Sequence, residues 1–395
     1  MSNRVNWKKA FIQAAAVGLI LCAALAVIIS GIIFVNYDNM GRLTRVVHLI
    51  DKYYLNETEG ADLVEGAIKG MVSSLDKYSS YQDAEENEKL MNSIQGTFGG
   101  IGVHLSTADP TKLVVMRPIK GSPAERAGLQ AGDIILKIDD TDVSEISSDT
   151  AVAILRGEPG TKVSVTIYRP GTSKEFVVSM IRDNINVPTV EGQALPGHPD
   201  IALIDISSFS MQTGDELENV LKEMDIDKYN GVIIDLRYNP GGEVNAAIKV
   251  ASLLVPANDG PIVHIVDNKG NIDTRRATAD YINKPIVLLI NEYSASASEI
   301  VSGAVKDYGA GILVGTKTYG KGVVQTVFEL DGNTSVKLTT DKYLTPLKND
   351  INKIGVEPDV KVELKEDEKA TILPNEADFD SQLTKGIEAL GQMIQ

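Results

Sequence analysis

The chain has 395 residues, 23% charged and 43% apolar, an ordinary globular content that allows two or more packed units. Its formal net charge of −16 repels polyanions and argues against nucleic acid as a partner, and its single cysteine, Cys22, rules out an internal disulfide. Aromatic content is low at 5% and glycine is frequent at 34 residues, a composition suited to turns and small-residue packing.

Residues 1–9 form a basic flank with Arg4, Lys8 and Lys9, and from Ala10 to Val35 no charged residue occurs. That run is long enough to cross a bilayer as a helix, and the basic flank orients it with the remainder outside the cytoplasm. We expect a single-pass transmembrane helix, an uncleaved signal anchor, over residues 10–37, and a catalytic part held outside the cytoplasm at the cell membrane. The apolar run continues well past the small residues of CAALA, unlike a cleaved signal peptide or a lipoprotein signal ending at Cys22. Residues 40–95 read as a helical region, because LTRVVHLIDKYYL and LVEGAIKGMVSSL place apolar residues at mixed three and four spacing. These helices serve either as a stalk or as a pairing surface; since tethered chains meet easily, a homo-oligomer, a dimer, is expected.

At Gly96 the texture changes. Residues 96–182 alternate short β-rich segments with Gly and Pro turns. SPAERAGL is a short helix pattern with Ser122 and Pro123 suited to its start, and AGDIILKIDD is a turn running into a strand. Together with GGIGV at 99–103 and the helix pattern of SSDTAVAILRG, these features stand in the order of a PDZ domain, which the segment resembles. The resemblance implies that an extended C-terminal peptide adds a strand to a sheet edge. Its carboxylate would be received by backbone N–H groups of Gly99, Gly100, Ile101, Gly102 and Val103. Ile101, Val103 and Leu105 alternate onto one face, either as a side-chain pocket or as ordinary core.

Residues 183–364 run as β then α. IALIDISSF (201–209), YNGVIIDLRYNPGG (229–242), PIVHIVDNKG and PIVLLI read as strands; DELENVLKEM, EVNAAIKVASLLVP and the stretch after SASAS read as helices. GILVGTKTYGKGVVQTVFEL reads as two strands around a tight turn. The alternation predicts an α/β core with a largely parallel sheet. Ligands gather beyond the carboxyl ends of such strands, where DLRYNPGG and NEYSASASE lie. Residues 365–395 form an acidic, then helical tail, either an oligomer contact or a cap.

The stretch NEYSASASEI raises the question of which serine, if any, does chemistry. A serine nucleophile needs an activator. The four histidines, His48, His104, His198 and His264, all lie away from SASAS in the sequence. A lysine becomes a base at neutral pH when desolvation lowers its pKa. TYGKGVVQ offers Lys321 between two glycines and close to Val323 and Val324. Taken singly, Lys321 reads as a turn residue and SASAS as a small-residue helix start.

The set reads differently. DLRYNPGG, then SASASE, then GKGVVQ behind a PDZ-like module, with AIKGMVSSLDKYSSY (67–81) and LTTDKYLTP (338–346), resembles the carboxyl-terminal processing proteases of peptidase family S41 over nearly the whole chain after Met40. The resemblance implies a crotonase-like, ClpP-like α/β protease core and a Ser–Lys serine endopeptidase without cofactor or metal. It implies protein substrates with free C-termini. It assigns Ser296 as nucleophile, Lys321 as base, Gln325 as the group orienting the lysine amine, and the backbone N–H groups of Gly242 and Ala297 as oxyanion donors. Arg156 reads as a solvated helix-end charge that suits the dipole, or, as the resemblance implies, as an interdomain switch facing the protease domain. Lys321 and Gln325 are expected on one strand face, two alternations apart. Glu299 reads as a helix-start stabiliser or an acid, and Asp235 and Arg237 as structural. The NPGG glycines read as places of close backbone approach. Two other readings stay open: a crotonase-like enzyme acting on an acyl thioester, which gives no need for Ser296 and Lys321 together, and a binding scaffold with the PDZ-like module as its working part.

Overall fold

The computed structural model describes residues 40–106, 112–172, 174–365, 368 and 380–394. The run Ala10–Val35, expected to span a membrane, lies outside the described residues; among the described ones no helix is long and apolar enough to cross a membrane. The chain divides into two compact units between Lys77 and Tyr78. In the first, residues 40–53 form α1 and Gly60–Ser73 form α2. Their mixed spacing of apolar residues leaves Met40, Leu43, Val46, Val47 and Leu49 exposed on α1.

The second unit opens on a strand rather than a helix. Ser80–Gln82 (β1) pairs antiparallel with Ser335–Lys337, near the other end of the chain, so the helical reading of 40–95 fails here. A three-residue strand whose partner lies so far away leaves no local period to detect. Helix α3 (Ala84–Gln95) follows, opened by a capping box between Asp83 and Glu86 and closed by Gly96 at φ +67.

The module that comes next contains β2 (Thr97–Gly100), β3 (Val103–Ser106), β4 (Leu113–Pro118), α4 (Pro123–Arg126), β5 (Ile134–Ile138), β6 (Thr141–Asp142), α5 (Ser148–Leu155), β7 (Lys162–Arg169), β8 (Lys174–Ile181) and β9 (Asp183–Asn186). Its sheet runs β3-β4-β5-β7-β8, with β6 beside β5, and β3 is an edge. Ser122 caps α4 as its sequence suggests. A separate ribbon pairs β2 with β9, joining entry to exit. Ile101 is buried in the module core, with Val103 and Leu105 half-buried against it.

The larger core contains β10 (Val190–Leu195), β11 (His198–Ile206), α6 (Thr213–Glu223), β12 (Gly231–Asp235), α7 (Val244–Leu254), β13 (Pro261–Asp267), β14 (Ile272–Arg276), β15 (Ile286–Ile290), α8 (Ala297–Tyr308), β16 (Ile312–Gly315), β17 (Val323–Glu329), β18 (Ser335–Leu344), β19 (Val360–Lys361) and α9 (Ser381–Ile394). The main sheet runs β10-β11-β12-β15-β16-β19 and is parallel except for the β10–β11 edge. Strand β15 shows why PIVLLI carries no charge. Ile286, Leu288 and Ile290 point into the core with α6, α7 and α8, while Val287 and Leu289 point to the face that Ala389 and Leu390 of α9 cover. A parallel strand buried on both faces reads as a continuous apolar run. The described part of the tail is thus a cap on this sheet.

A second sheet, β1-β18-β13-β14 with β17 on β18, lies in the same unit. Here the tight-turn reading of GILVGTKTYGKGVVQTVFEL fails: β16 lies inside the parallel sheet, between β15 and β19, and β17 belongs to the second one. The glycines between them serve close approach instead of a hairpin. A Cβ on Gly322 would lie 2.6 Å from the Asn352 amide nitrogen, and one on Gly320 3.1 Å from that of Gly355.

Candidate active site

The serine loop leaves the carboxyl end of β15 and enters α8. Ser294 and Ser298 are fully buried, and each hydroxyl donates to a main-chain carbonyl, Ser294 to Leu236 at 2.8 Å and Ser298 to Asn239 at 3.0 Å. Ser296 is the half-buried member of the three. It sits at φ +55, ψ −111, a sharp turn that a side-chain-bearing residue seldom adopts. Such strain costs about 1–3 kcal/mol and persists only where the surroundings over-determine it. Two anchors do so here. The Ser296 N–H donates to Glu299 Oε2 at 2.8 Å, and the Ala295 N–H donates to the Asn239 carbonyl at 3.0 Å.

Asn239 fixes the glycine loop to this turn. It is fully buried; its Nδ2 donates to the Ile206 carbonyl at 2.6 Å and its Oδ1 accepts from the Gly241 N–H at 2.8 Å. A Cβ on Gly241 would lie 2.8 Å from both Ser296 Cβ and the Ala297 nitrogen, and one on Gly242 would lie 2.0 Å from the Phe209 carbonyl oxygen. Glycine is therefore required at both places. The NPGG backbone lies against the start of α8, where the first amides of a helix lack intrahelical partners and the dipole favours negative charge.

Glu299 joins the serine turn to the lysine loop. Fully buried, its Oε2 accepts from the N–H groups of Ser296 and Lys321, both at 2.8 Å. Its Oε1 accepts from Thr318 Oγ1 at 2.6 Å and from the Gly320 N–H at 2.7 Å. On the carbonyl side, the buried Tyr343 hydroxyl lies 2.9 Å from the Ser296 oxygen and 2.5 Å from the Lys321 oxygen. Burial, then the neighbouring Glu299 and Tyr78, hold that phenol well above its ordinary pKa, so it stays a donor. The main chains of Ser296 and Lys321 are thus held side by side by one carboxylate and one phenol.

The Lys321 side chain places Nζ over the Tyr78 ring, 5.0 Å from its centroid. Gln325 Nε2 donates to Thr339 Oγ1 at 3.4 Å. The expected shared strand face does not hold: Lys321 precedes β17, and the β17–β18 register shifts between Val324 and Gln325. An irregularity of this kind breaks strict alternation, so the spacing of four does not report a common face.

Arg237, its side chain 4% exposed, pairs with Asp235 at 2.7 Å and with Asp380 at 2.8 Å, pinning the start of α9. Asp205, beside Asp235 in the sheet register, is pushed up to about 7 by burial, then by Asp235 and Glu191, against Arg237. His264 is engaged by Thr274 Oγ1 and the Pro346 carbonyl. Among the described residues no three His, Cys, Asp or Glu side chains gather as metal ligands. In the module, Gly99 and Gly100 lie in β2, and the carbonyls of Gly99, Ile101 and Gly102 accept from Gly157, Ala124 and Ile119. Arg156 caps α5 and stacks its guanidinium 5.0 Å over Phe98 of β2, on the ribbon that joins module to core. Sequence reasoning passed over Asn239, Tyr343, Thr318 and Tyr78. Tyr343 and Tyr78 lie inside the two stretches, LTTDKYLTP and LDKYSSY, that belong to the resemblance, but no local period marks them.

Three family profiles match the chain: "Peptidase family S41" over residues 200–362, "PDZ domain" over 114–169, and "Activating protease CtpB N-terminal domain" over 31–86. The chain is 37% identical over 358 residues to a carboxy-terminal-processing protease of Bartonella bacilliformis, covering 88% of this chain and 81% of that protein. It is 35% identical over 364 residues to the carboxy-terminal processing protease CtpA of Bacillus subtilis, covering 90% and 77%. Among solved structures, a Bacteroides fragilis protein described as an S41 protease aligns with a TM-score of 0.54 at 17% identity, over 86% of this chain and 92% of that one, a likeness of fold.

Proposed function

The chain belongs to the carboxy-terminal processing proteases of peptidase family S41, serine-type peptidases with a PDZ domain, and we propose that in it Ser296 is the nucleophile and Lys321 the base. The observation that carries this choice is the fate of the three hydroxyls: Ser294 and Ser298 are buried and donate to carbonyls, while Ser296 stands half-buried on a strained turn tied through Glu299 to Lys321.

Neutral Lys321 takes the Ser296 proton as Oγ attacks the scissile carbonyl carbon. The N–H groups of Gly242 and Ala297 receive the oxyanion. Lys321 then gives its proton to the leaving amine as the C–N bond breaks. Water adds to the acyl-enzyme, with Lys321 again taking the proton, and Ser296 is restored as the new C-terminus departs. Gln325 orients the amine once Lys321 swings toward Ser296. Ser296→Ala and Lys321→Ala should each abolish hydrolysis of a labelled unfolded protein while leaving the melting temperature near wild type. Turnover within tenfold of wild type in Lys321→Ala would remove the lysine from this role. Gln325→Ala should cost less than either.

Substrates are proteins with free C-termini, bound at the module by the edge strand β3 and the Gly99–Val103 segment. A peptide seated there would shift α5 and draw Arg156 off Phe98, coupling occupancy to the core. Arg156→Ala should leave peptide affinity unchanged and lower hydrolysis by the full chain. Residues 10–37 anchor the enzyme in the membrane with its catalytic part outside the cytoplasm. A mass measurement on the membrane form tests that anchor, and a mature N-terminus beyond residue 22 would replace it with a processed, released enzyme. The exposed apolar side chains of α1 support pairing of two copies.

A further inference from the structure

We propose that Tyr78 is a positioning residue for Lys321: its ring face holds the ε-ammonium and thereby sets the pH at which the base becomes free. The inference rests on the reading of Lys321 as the base.

Its geometric ground is the contact of Nζ with the ring at 5.0 Å from the centroid, within the range in which an ammonium is drawn to an aromatic face. A neutral amine gains little from that face. The contact therefore favours the protonated form of the resting side chain, which must lose its proton before Lys321 swings toward Ser296. A flexible four-carbon side chain is confined at the same time.

The segment carrying Tyr78 is built into the site rather than draped over it. Strand β1 pairs with β18 through Ser80, Tyr81 and Gln82. Ser79, 7% exposed, accepts the Thr339 N–H on its hydroxyl at 3.1 Å, and Thr339 Oγ1 is the acceptor for Gln325. One short segment thus reaches Lys321 through a ring and Gln325 through Thr339.

The other groups around the lysine loop fix the sign and size expected. Glu299 on α8 accepts the Lys321 N–H, Tyr343 on β18 meets its carbonyl, and Asp341 on β18 stands opposite Val324. Lys353, exposed, donates its backbone N–H to the Gly320 carbonyl. Any field from these charged groups, and from Lys342 opposite Val323, is the same with and without the ring, so the shift should be moderate.

The test is a titration of the full chain with 13Cε-labelled lysine, the Lys321 signal being assigned by its loss in Lys321→Arg. In Tyr78→Leu the Lys321 pKa should fall by about 0.5–1.5 units, and in Tyr78→Phe, which keeps the ring, it should stay put. Pentafluorophenylalanine at position 78 keeps the shape and reverses the ring's electrostatics; it should reproduce the fall without any question of folding. An unchanged Lys321 pKa with the fluorinated ring overturns the proposal. A parallel pH profile of hydrolysis separates the two claims: if Lys321→Ala keeps its activity, the base assignment fails, whereas an alkaline-rising limb that ignores position 78 fails Tyr78 alone.

Discussion

Two buried carboxylates, one in each major part of the second unit, divide its polar chemistry between them. Asp133 in the module is met by the Arg169 guanidinium at 2.6 and 2.8 Å and by the Gln130 N–H at 2.8 Å. Glu299 in the core is also fully buried, but its four donors are three main-chain amides and one hydroxyl, all neutral. A carboxylate matched by an arginine acts as a strut between strands. A carboxylate ringed by neutral amides of two separate loops fixes the relative placement of those loops and leaves its charge beside whatever they carry. Here they carry Ser296 and Lys321. Charge and main-chain geometry are thus concentrated where alignment matters and are merely structural elsewhere.

Of the two carboxylates, Glu299 carries the larger expected effect. Glu299→Ala strands four donors, each unsatisfied buried group costing about 1–3 kcal/mol, and frees the two loops to drift. Hydrolysis should fall at least about a hundredfold, since displacements near 1 Å suffice for that loss. Activity within threefold of wild type would break the contrast. Asp133→Ala is the counterpart: melting temperature should drop by several degrees while kcat holds.

The two parts should also differ in how their stability answers to pH. Burial pushes Asp133 up, but Arg169 and the Gln130 amide outweigh it and hold the carboxyl below its ordinary value. A lowered folded pKa gives stability that is present above the unfolded pKa and lost as pH falls through the folded one. The deficit of Asp133→Asn should therefore shrink in acid. Asp205 has the opposite sign: raised from 3.8 to about 7, it holds a proton in the folded state that the unfolded chain has released. Its contribution works against stability as pH climbs between those values. Asp205→Asn should flatten the fall in melting temperature over that window, read by calorimetry across pH 4 to 8, roughly the span of the two pKa values.

The smallest effect belongs to the join between the parts. Arg117 of β4 pairs with Glu191 of β10 at 2.5 Å, yet the two side chains are 53% and 43% exposed. Such pairs contribute about 0–1 kcal/mol, so Arg117→Ala should barely change the melting temperature. A loss as large as that of Asp133→Ala would mean the module is held far more firmly than its polar contacts imply.

The sequence by itself determined the elements with a strong period or strong punctuation. PIVLLI read as a strand, SPAERAGL as a capped turn of helix, and NPGG as a place of close backbone approach, because each rests on local sterics and burial. It also carried the family, through motifs whose order survives without coordinates. Only the tertiary structure decided which of three similar serines keeps a reachable hydroxyl, since Leu236 and Asn239, which engage the other two, lie far away in the chain. It alone brought Tyr78 over Lys321 and Tyr343 between two loops. It removed the hairpin expected around Lys321 because the glycines there answer to residues 352–355 rather than to each other. Propensity and period act over a few residues, whereas a catalytic arrangement is made of contacts between segments that only the folded chain brings within hydrogen-bonding distance.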